Sequence, residues 1–565
     1  MIGYGHMPIF VEGRDPTDMH HQLSAALNQC FDMISAIQQA ARGGGNEPQV
    51  RPLWPMVVFV SPKGWTGPKV VAGLPVEGTW RSHQVPFGDV RDNPANLKML
   101  EDWLKSYKPD ELFDKDGRFV SSLQALAPKG KKRMGNSPYT NAGVVQELVL
   151  PPFQSFAVDF VGHGTAVYES TRAVGEFLAA VVKANPNTIR IFGPDETVSN
   201  RLGAVVESSE RTWFAERKAG DDHLSVDGRV MEILSEHTIE GWVEGMLLTG
   251  RHAFFSTYEA FAPIVDSMIN QHAKWLKTSS NLSWRLPIPS LNILLTSHVW
   301  RQDHNGFSHQ DPGLLDHVSN KPCARIYLPP DANTLLYITD RCLRSKQLIN
   351  VIVAGKHPAD QWLDMEQAEI HSSQGIGIWR WASTDQGVEP DVIIASAGDV
   401  PTLEALAAVD ILITNIPSLR IRFVNVIDLL ALEARDRYPH GLTDLEFDSI
   451  FSMNKPVVFA FHGYPALIHR LIYRRRNHPN FHVRGYQEKG TTTTPFDMLV
   501  LNRLSRFHLA ISVIDRVPRL QSTSAHLRQS LADLLVQHKQ FIAVHGDDMP
   551  LVKNWKWSGN RGGEL

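Results

Sequence analysis

Between Leu291 and Gly313 the chain reads LNILLTSHVWRQDHNGFSHQDPG. An apolar, strand-like run (Leu291, Ile293, Leu294, Leu295) delivers a polar segment holding His298, Arg301, Asp303, His304, Asn305, His309 and Asp311. Gly306 and then Pro312-Gly313 bend the backbone around it. Imidazoles, a guanidinium and carboxylates packed so closely suit the binding of something polar or anionic. In α/β proteins ligands sit beyond the C-terminal ends of parallel strands, which is where this segment would lie. The three histidines could in principle hold zinc. Their spacing is neither His-x3-His nor HExxH, so metal is the weaker reading and no metal ligand is assigned.

Other residues carry chemistry only in combination. Pro194 to Arg201, PDETVSNR, sets Ser199 and Arg201 just after an apolar run. A hydroxyl and a guanidinium fork suit a phosphate monoester, and a helix cap is the bland alternative. Lys356 ends INVIVAGK, where a cation either meets an anion or is merely exposed. Lys63 in SPKGW and His83 in WRSHQVP, taken singly, read as a solvated lysine and a structural histidine. Glu236 in EILSEHTIEGW reads as a solvated glutamate at a helix start. Phe254, Phe255, Tyr258 and Phe261 form an aromatic cluster, more often core than a cofactor platform. No phosphate-cradling GxxxxGK[ST] or GxGxxG loop is present, and GHGTAVYE at Gly162 fits neither.

These residues need a scaffold, and 565 residues exceed one hydrophobic core, so three domains are expected. The composition, 43% hydrophobic and 21% charged, is that of a globular protein. A net charge of −4 leaves no electrostatic footprint for nucleic acid or an anionic membrane. Cys30, Cys323 and Cys342 are widely spaced, which speaks against a disulfide framework and a thiolate metal site and fits a reducing cytoplasm. There is neither an apolar run long enough to span a membrane nor the layout of a signal peptide.

The first block, residues 1–137, has a strand ending in MIGYGHMPIFVEG and a helix from Asp18 to Ala41 closed by Gly43-Gly44-Gly45. A buried strand, Met56 to Val60, and a helix, Ala95 to Tyr107, follow. The run GKKRMGNSPYTNAG reads as a linker. The second block, 138–362, alternates strands with helices: IRIFGPDE, Ile239 to Leu248, HAFFSTYEAF into a helix from Pro263 to Leu276, the central stretch, ARIYLPPDANTLLYIT and INVIVAGK. The third, 363–565, repeats the pattern and ends in a helix near Ser524 to His538. The expected fold class is α/β, with consecutive open, mostly parallel sheets flanked by helices.

Taken together, SPKGW, WRSHQVP, SYKPDELFD, FGPDETVSNR, LSEHTIEG, LLTGRHAFFSTYEAF, SHVWRQDHNGFSHQDPG, AGK, ASAGDVPT and GTTTTPFDM closely resemble phosphoketolase, a thiamine-diphosphate enzyme of the transketolase superfamily. The resemblance runs from Met1 to the C-terminus, in order. It implies a homodimer with diphosphate-binding, pyrimidine-binding and C-terminal domains. It implies a lyase that cleaves xylulose 5-phosphate or fructose 6-phosphate with inorganic phosphate, giving acetyl phosphate plus glyceraldehyde 3-phosphate or erythrose 4-phosphate. By motif position Glu236 would pair with the aminopyrimidine of the cofactor, with Tyr258 and Phe261 packing near that ring. Ser199, Arg201, Asn305, His309 and Lys356 would form the substrate-phosphate pocket, and Lys63 and His83 would stand close to the reacting carbons. The role of Glu236 calls for a desolvated carboxyl.

The superfamily binds its magnesium diphosphate through Gly-Asp-Gly with a downstream Asn, and no Gly-Asp-Gly occurs in this sequence. The resemblance also implies active-site histidines ahead of the sequence matching Ile2. The expectation is that the diphosphate half of the site is missing from this chain. It would be supplied by a separate N-terminal polypeptide or lost through a wrong start. Two alternatives are a non-catalytic remnant that dimerises or binds sugar phosphate, and a metal-dependent hydrolase built on the His/Asp cluster.

Overall fold

The computed structural model describes residues 1–43, 52–84, 87–137, 139 and 145–558. Gly44, Gly45 and part of the linker stretch lie outside them. The chain divides into two compact units, Met1–Arg133 with Phe214–Glu216, and Met134–Trp213 with Arg217–Leu565.

In the first unit, β1 (His6–Glu12) pairs in parallel with β2 (Trp54–Val60), and α1 (Pro16–Arg42) joins them. Asp15 caps α1 by accepting the N–H groups of Thr17 and Asp18, ahead of a proline at the first helical position. Met19 and Ala26 of α1 pack on Val11 and Val57. The strand expected to be buried is half-buried to exposed, with Phe59 45% exposed. A two-stranded sheet with one helix on it covers one face only, and side chains alternate between faces. The second helix, α2 (Pro94–Ser106), lies within two residues of its expected bounds at each end.

The second unit holds two main sheets and a two-stranded antiparallel one, Val167–Glu169 paired with Pro358–Asp360. The larger is built from β3 (Ile189–Gly193), β4 (Arg211–Thr212), β5 (Leu224–Ser225), β6 (Val230–Glu232), β7 (His252–Tyr258), β8 (Leu291–Thr296), β9 (Ala324–Tyr327) and β10 (Ile349–Val353). Its order is β9-β10-β8-β7-β3-β6-β4-β5, every pairing parallel. All residues of β8 and β10 are buried, as expected for strands covered on both faces, which explains their unbroken apolar runs. Among the covering helices are α3 (Ser170–Ala184), α4 (Glu236–Leu248), α5 (Asp266–Ser279) and α6 (Ala332–Arg344). The helix expected from Pro263 is a 3-10 segment over Glu259–Val265, and α5 starts only at Asp266. Proline has no N–H to give an α-helical ladder, which favours the tighter turn.

The smaller sheet contains β11 (Ile376–Ile378), β12 (Val392–Ala397), β13 (Ile421–Val426), β14 (Val457–Phe461) and β15 (Phe481–Arg484), in the order β11-β13-β12-β14-β15. Only β11, at an edge, is antiparallel. α7 (Asp399–Asn415) follows β12, and α8 (Arg506–Arg516) and α9 (Ala525–His545) are among the later helices of the unit. The two sheets share one apolar core: Phe255 and Ile293 of the larger lie in the same cluster as Ile393, Phe459 and Phe461 of the smaller. The expectation of an α/β fold with consecutive, mostly parallel sheets flanked by helices holds. No described helix is long and apolar enough to cross a membrane.

Candidate active site

Four neighbouring strands of the larger sheet, β10, β8, β7 and β3, deliver side chains to one place beyond their C-terminal ends. Ser199 follows β3, Tyr258 ends β7, His309 follows β8 and Lys356 follows β10. The Tyr258 hydroxyl is the hub. It shares a hydrogen bond with Ser199 Oγ at 2.9 Å and accepts one from Lys356 Nζ at 3.0 Å. The ammonium also lies 4.4 Å from the Tyr258 ring centroid, a cation–π contact. Phe261 stacks on Tyr258 with centroids 5.9 Å apart, and the His309 ring meets Phe261 edge-on at 5.2 Å. Phe254 and Phe255, by contrast, are fully buried core residues.

A residue that sequence reasoning did not single out underlies this hub. Glu196 is buried and accepts the Tyr258 backbone N–H at 3.0 Å. Burial, with the charges of Asp195 and Glu236 adding, pushes its carboxyl up to about 8, against the pull of the Tyr258 N–H and Lys356. At neutral pH it therefore keeps its proton in most molecules. The only signal in the sequence was its place inside FGPDETVSNR, just after a strand.

Arg201 and Asn305 are not drawn into these contacts. Arg201 sits in the left-handed region at φ 66°, costly for a non-glycine residue, and its Nε donates to Glu169 at 2.7 Å. Asn305 is exposed and donates to Gln302 at 2.7 Å. Glu236 opens α4 behind the N-cap Ser235, and it is half-buried rather than desolvated.

The segment after β8 is clamped from the smaller sheet. His298, fully buried, points Nε2 at Asp399 Oδ2, 2.9 Å away at the start of α7. Glu259, also buried, accepts the Val299 N–H at 2.9 Å and bonds His462 Nε2 at 2.6 Å. Trp300 Nε1 donates to the His462 carbonyl at 2.9 Å. Gly355 permits the approach: a Cβ there would come within 2.3 Å of Asp399 Oδ2. His298, His304 and His309 do not converge on one ion, because His304 is exposed and His309 faces Phe261. The described residues that could together hold an ion are His298, Asp399 and His462.

In the first unit, Lys63 Nζ and His83 Nδ1 lie 3.2 Å apart, both side chains exposed. The approach depends on Gly64, at φ 74°, where a Cβ would sit 2.6 Å from Ser82 Cβ in the turn carrying His83. Two residues that looked unremarkable singly thus form a pair.

Three family models match the chain: the XFP N-terminal domain over residues 1–145, D-xylulose 5-phosphate/D-fructose 6-phosphate phosphoketolase over 172–345, and the XFP C-terminal domain over 356–557. The chain is 60% identical over 560 residues to a probable phosphoketolase of Gloeobacter violaceus, covering 98% of this chain and 70% of that protein. The chain belongs to the phosphoketolase family. A second relative, a probable phosphoketolase of Chlorobaculum tepidum, is 58% identical over 564 residues, 99% of this chain and 71% of that one. Family membership makes the chain a lyase of carbohydrate metabolism, and the reading as a non-catalytic remnant is not favoured.

Solved transketolases share the fold. One from Pichia stipitis, in complex with sedoheptulose 7-phosphate, gives a TM-score of 0.60 at 15% identity, covering 92% of this chain and 68% of that one. Another, from Leishmania mexicana, gives 0.57 at 14%, covering 92% and 67%. The expectation that the diphosphate half is missing finds no support in the match of the phosphoketolase N-terminal model, although Gly-Asp-Gly is absent from the sequence.

Residues of this phosphoketolase suit one end of thiamine diphosphate. A half-buried carboxyl group, that of Glu236, and the stacked faces of Tyr258 and Phe261 fit the hydrogen-bonding edge and the apolar face of an aminopyrimidine. No described residue is assigned to the diphosphate or to magnesium.

Proposed function

We propose that the chain binds thiamine diphosphate with Mg2+ and cleaves xylulose 5-phosphate, or fructose 6-phosphate, with inorganic phosphate. The products are acetyl phosphate, water and glyceraldehyde 3-phosphate, or erythrose 4-phosphate in place of the last. The observation that carries this reading is the convergence of Ser199, Tyr258, Phe261, His309 and Lys356 from four adjacent strands, in a chain of this family. The division of labour is residues 1–137 for the diphosphate domain and linker, 138–362 for the pyrimidine domain and 363–565 for the C-terminal domain. The working form is a cytoplasmic homodimer.

Thiamine diphosphate, when bound, supplies a carbon nucleophile and an electron sink for breaking the bond beside the ketone. Glu236 holds a proton on the aminopyrimidine ring, and Tyr258 and Phe261 keep water from that ring. Lys356, Ser199 and His309 hold the sugar phosphate, with Asn305 at the rim. Arg201 exchanges Glu169 for the substrate's phosphate, a stronger bidentate acceptor. Phosphate binding so far from the reacting carbons contributes to the rate only if it positions the ketone. Lys63 and His83, paired through a single hydrogen bond, pass protons to and from the substrate hydroxyls.

The deciding assay traps acetyl phosphate as its hydroxamate from purified chain, xylulose 5-phosphate, phosphate, Mg2+ and thiamine diphosphate. Product that requires both the cofactor and phosphate is the expected result. If product forms only after an N-terminal segment carrying Gly-Asp-Gly is added, a partner polypeptide completes the site. Absence of product in both mixtures would overturn the reading.

A further inference from the structure

Where the two sheets of the second unit meet, a cavity of about 190 Å³ is lined by Arg301, Asp360, Asp399, Arg506, Lys553 and Lys556, among others. Its carboxylates are already answered: Asp399 by His298 at 2.9 Å, and Asp360 by Lys556. Lys553 is taken up by Asp547 at 2.6 Å. The two guanidinium groups are not fully used. Arg506 is only 4% exposed; its Nε and Nη2 donate to Glu404 at 3.1 and 2.7 Å, and its plane lies near the Trp555 and Phe496 rings. The remaining edge, Nη1, is buried without a hydrogen-bond partner. An unsatisfied cationic donor in so enclosed a place is costly unless something occupies it. Arg301, half-buried across the same cavity, forms no ion pair with a described residue.

Two guanidinium groups that line one small cavity, Arg506 with a donor that no described residue accepts and Arg301 without an ion pair among the described residues, suit a tetrahedral or planar oxyanion. The volume is below the roughly 300 Å³ at which pockets begin to take drug-sized ligands, so the occupant is compact. We propose that this cavity binds a phosphate group, as orthophosphate or a small phosphate monoester, between Arg301 and Arg506. It is separate from the pocket around Tyr258, yet Arg301 belongs to the segment that carries Asn305 and His309. An anion held here would brace that segment.

Crystals of the full chain soaked in selenate test the site directly. The expected result is an anomalous peak within hydrogen-bonding reach of both guanidinium groups, lost in Arg301→Gln; a peak only beside Ser199 and Lys356, or none, overturns the proposal. In solution, orthophosphate and glycerol 3-phosphate are titrated calorimetrically into Lys356→Ala, with and without Arg301→Gln. Adding Arg301→Gln should weaken binding by about tenfold or more. Tighter binding of orthophosphate would identify the free anion as the occupant, and tighter binding of glycerol 3-phosphate the ester. Equal affinities with and without Arg301→Gln would overturn the site even if the chain is catalytically active.

Discussion

His298 Nε2 and Asp399 Oδ2 stand 2.9 Å apart, one on the segment that follows β8 and the other on the first turn of α7, so a buried ion pair ties the larger sheet to the smaller. Burial alone would lower the His298 imidazole, but the charge and hydrogen bond of Asp399 outweigh it and raise it above 6.5. For Asp399 the same partner outweighs burial and holds the carboxyl well below 3.8. A raised histidine stabilises fully below its unfolded value and loses that contribution as pH rises through the folded one; a depressed aspartate does the reverse in acid. Both contributions are complete between 3.8 and 6.5. Thermal stability should therefore fall as pH climbs beyond that window. Asp399→Asn should cost about 3 kcal/mol inside it and remove the pair's share of the alkaline slope, making it shallower. Melting curves across pH for both proteins check this, and an unchanged slope in the variant would refute it.

Lys356→Ala and His309→Ala should each raise KM for xylulose 5-phosphate. The loss for Lys356 is about 2 kcal/mol, that of a hydrogen bond to a charged group. Steady-state kinetics with the sugar phosphate and with its unphosphorylated ketose separate the effects: the variants should differ from the parent chain on the first and match it on the second.

Glu236→Gln keeps the shape of the helix start and removes the exchangeable proton. The expected loss in turnover is at least about 100-fold, with little change in melting temperature, because the side chain is half-buried. A variant that retains turnover would exclude Glu236 as the group holding the ring proton.

The pair of Lys63 and His83 is exposed, so His83→Asn should fold normally and lose about 100-fold in turnover. The pH profile is the discriminating readout. If the pair moves protons, Lys63→Ala shifts the profile of the remaining activity; a purely structural pair leaves it in place.

One turn along from Glu236, Glu240 is fully buried, with neither carboxyl oxygen hydrogen-bonded, and burial together with Glu244 pushes it up to about 8. The unfolded chain releases this proton near 4.5 while the folded one keeps it, so stability declines as pH rises from 4.5 towards 8. Glu240→Gln should remove that decline and gain about 3 kcal/mol at neutral pH. Denaturant midpoints at acid and neutral pH test it; equal differences at both would rule out this origin.

Much of this protein was legible before folding. The apolar runs of β8 and β10 announce buried parallel strands because both faces must be covered, and the polar residues that follow mark the strand ends where ligands bind. The ordered motifs named the family. What only the tertiary structure decided are relations between distant positions: Tyr258 as the hub for Ser199 and Lys356, Lys63 beside His83, and Glu196 beneath the site with its proton retained. The half-burial of Glu236 and the exposure of β2 were equally beyond local pattern. Periodicity reports which face of an element seeks cover, but how much cover it finds, and which charges meet under it, depends on packing between segments far apart in the chain.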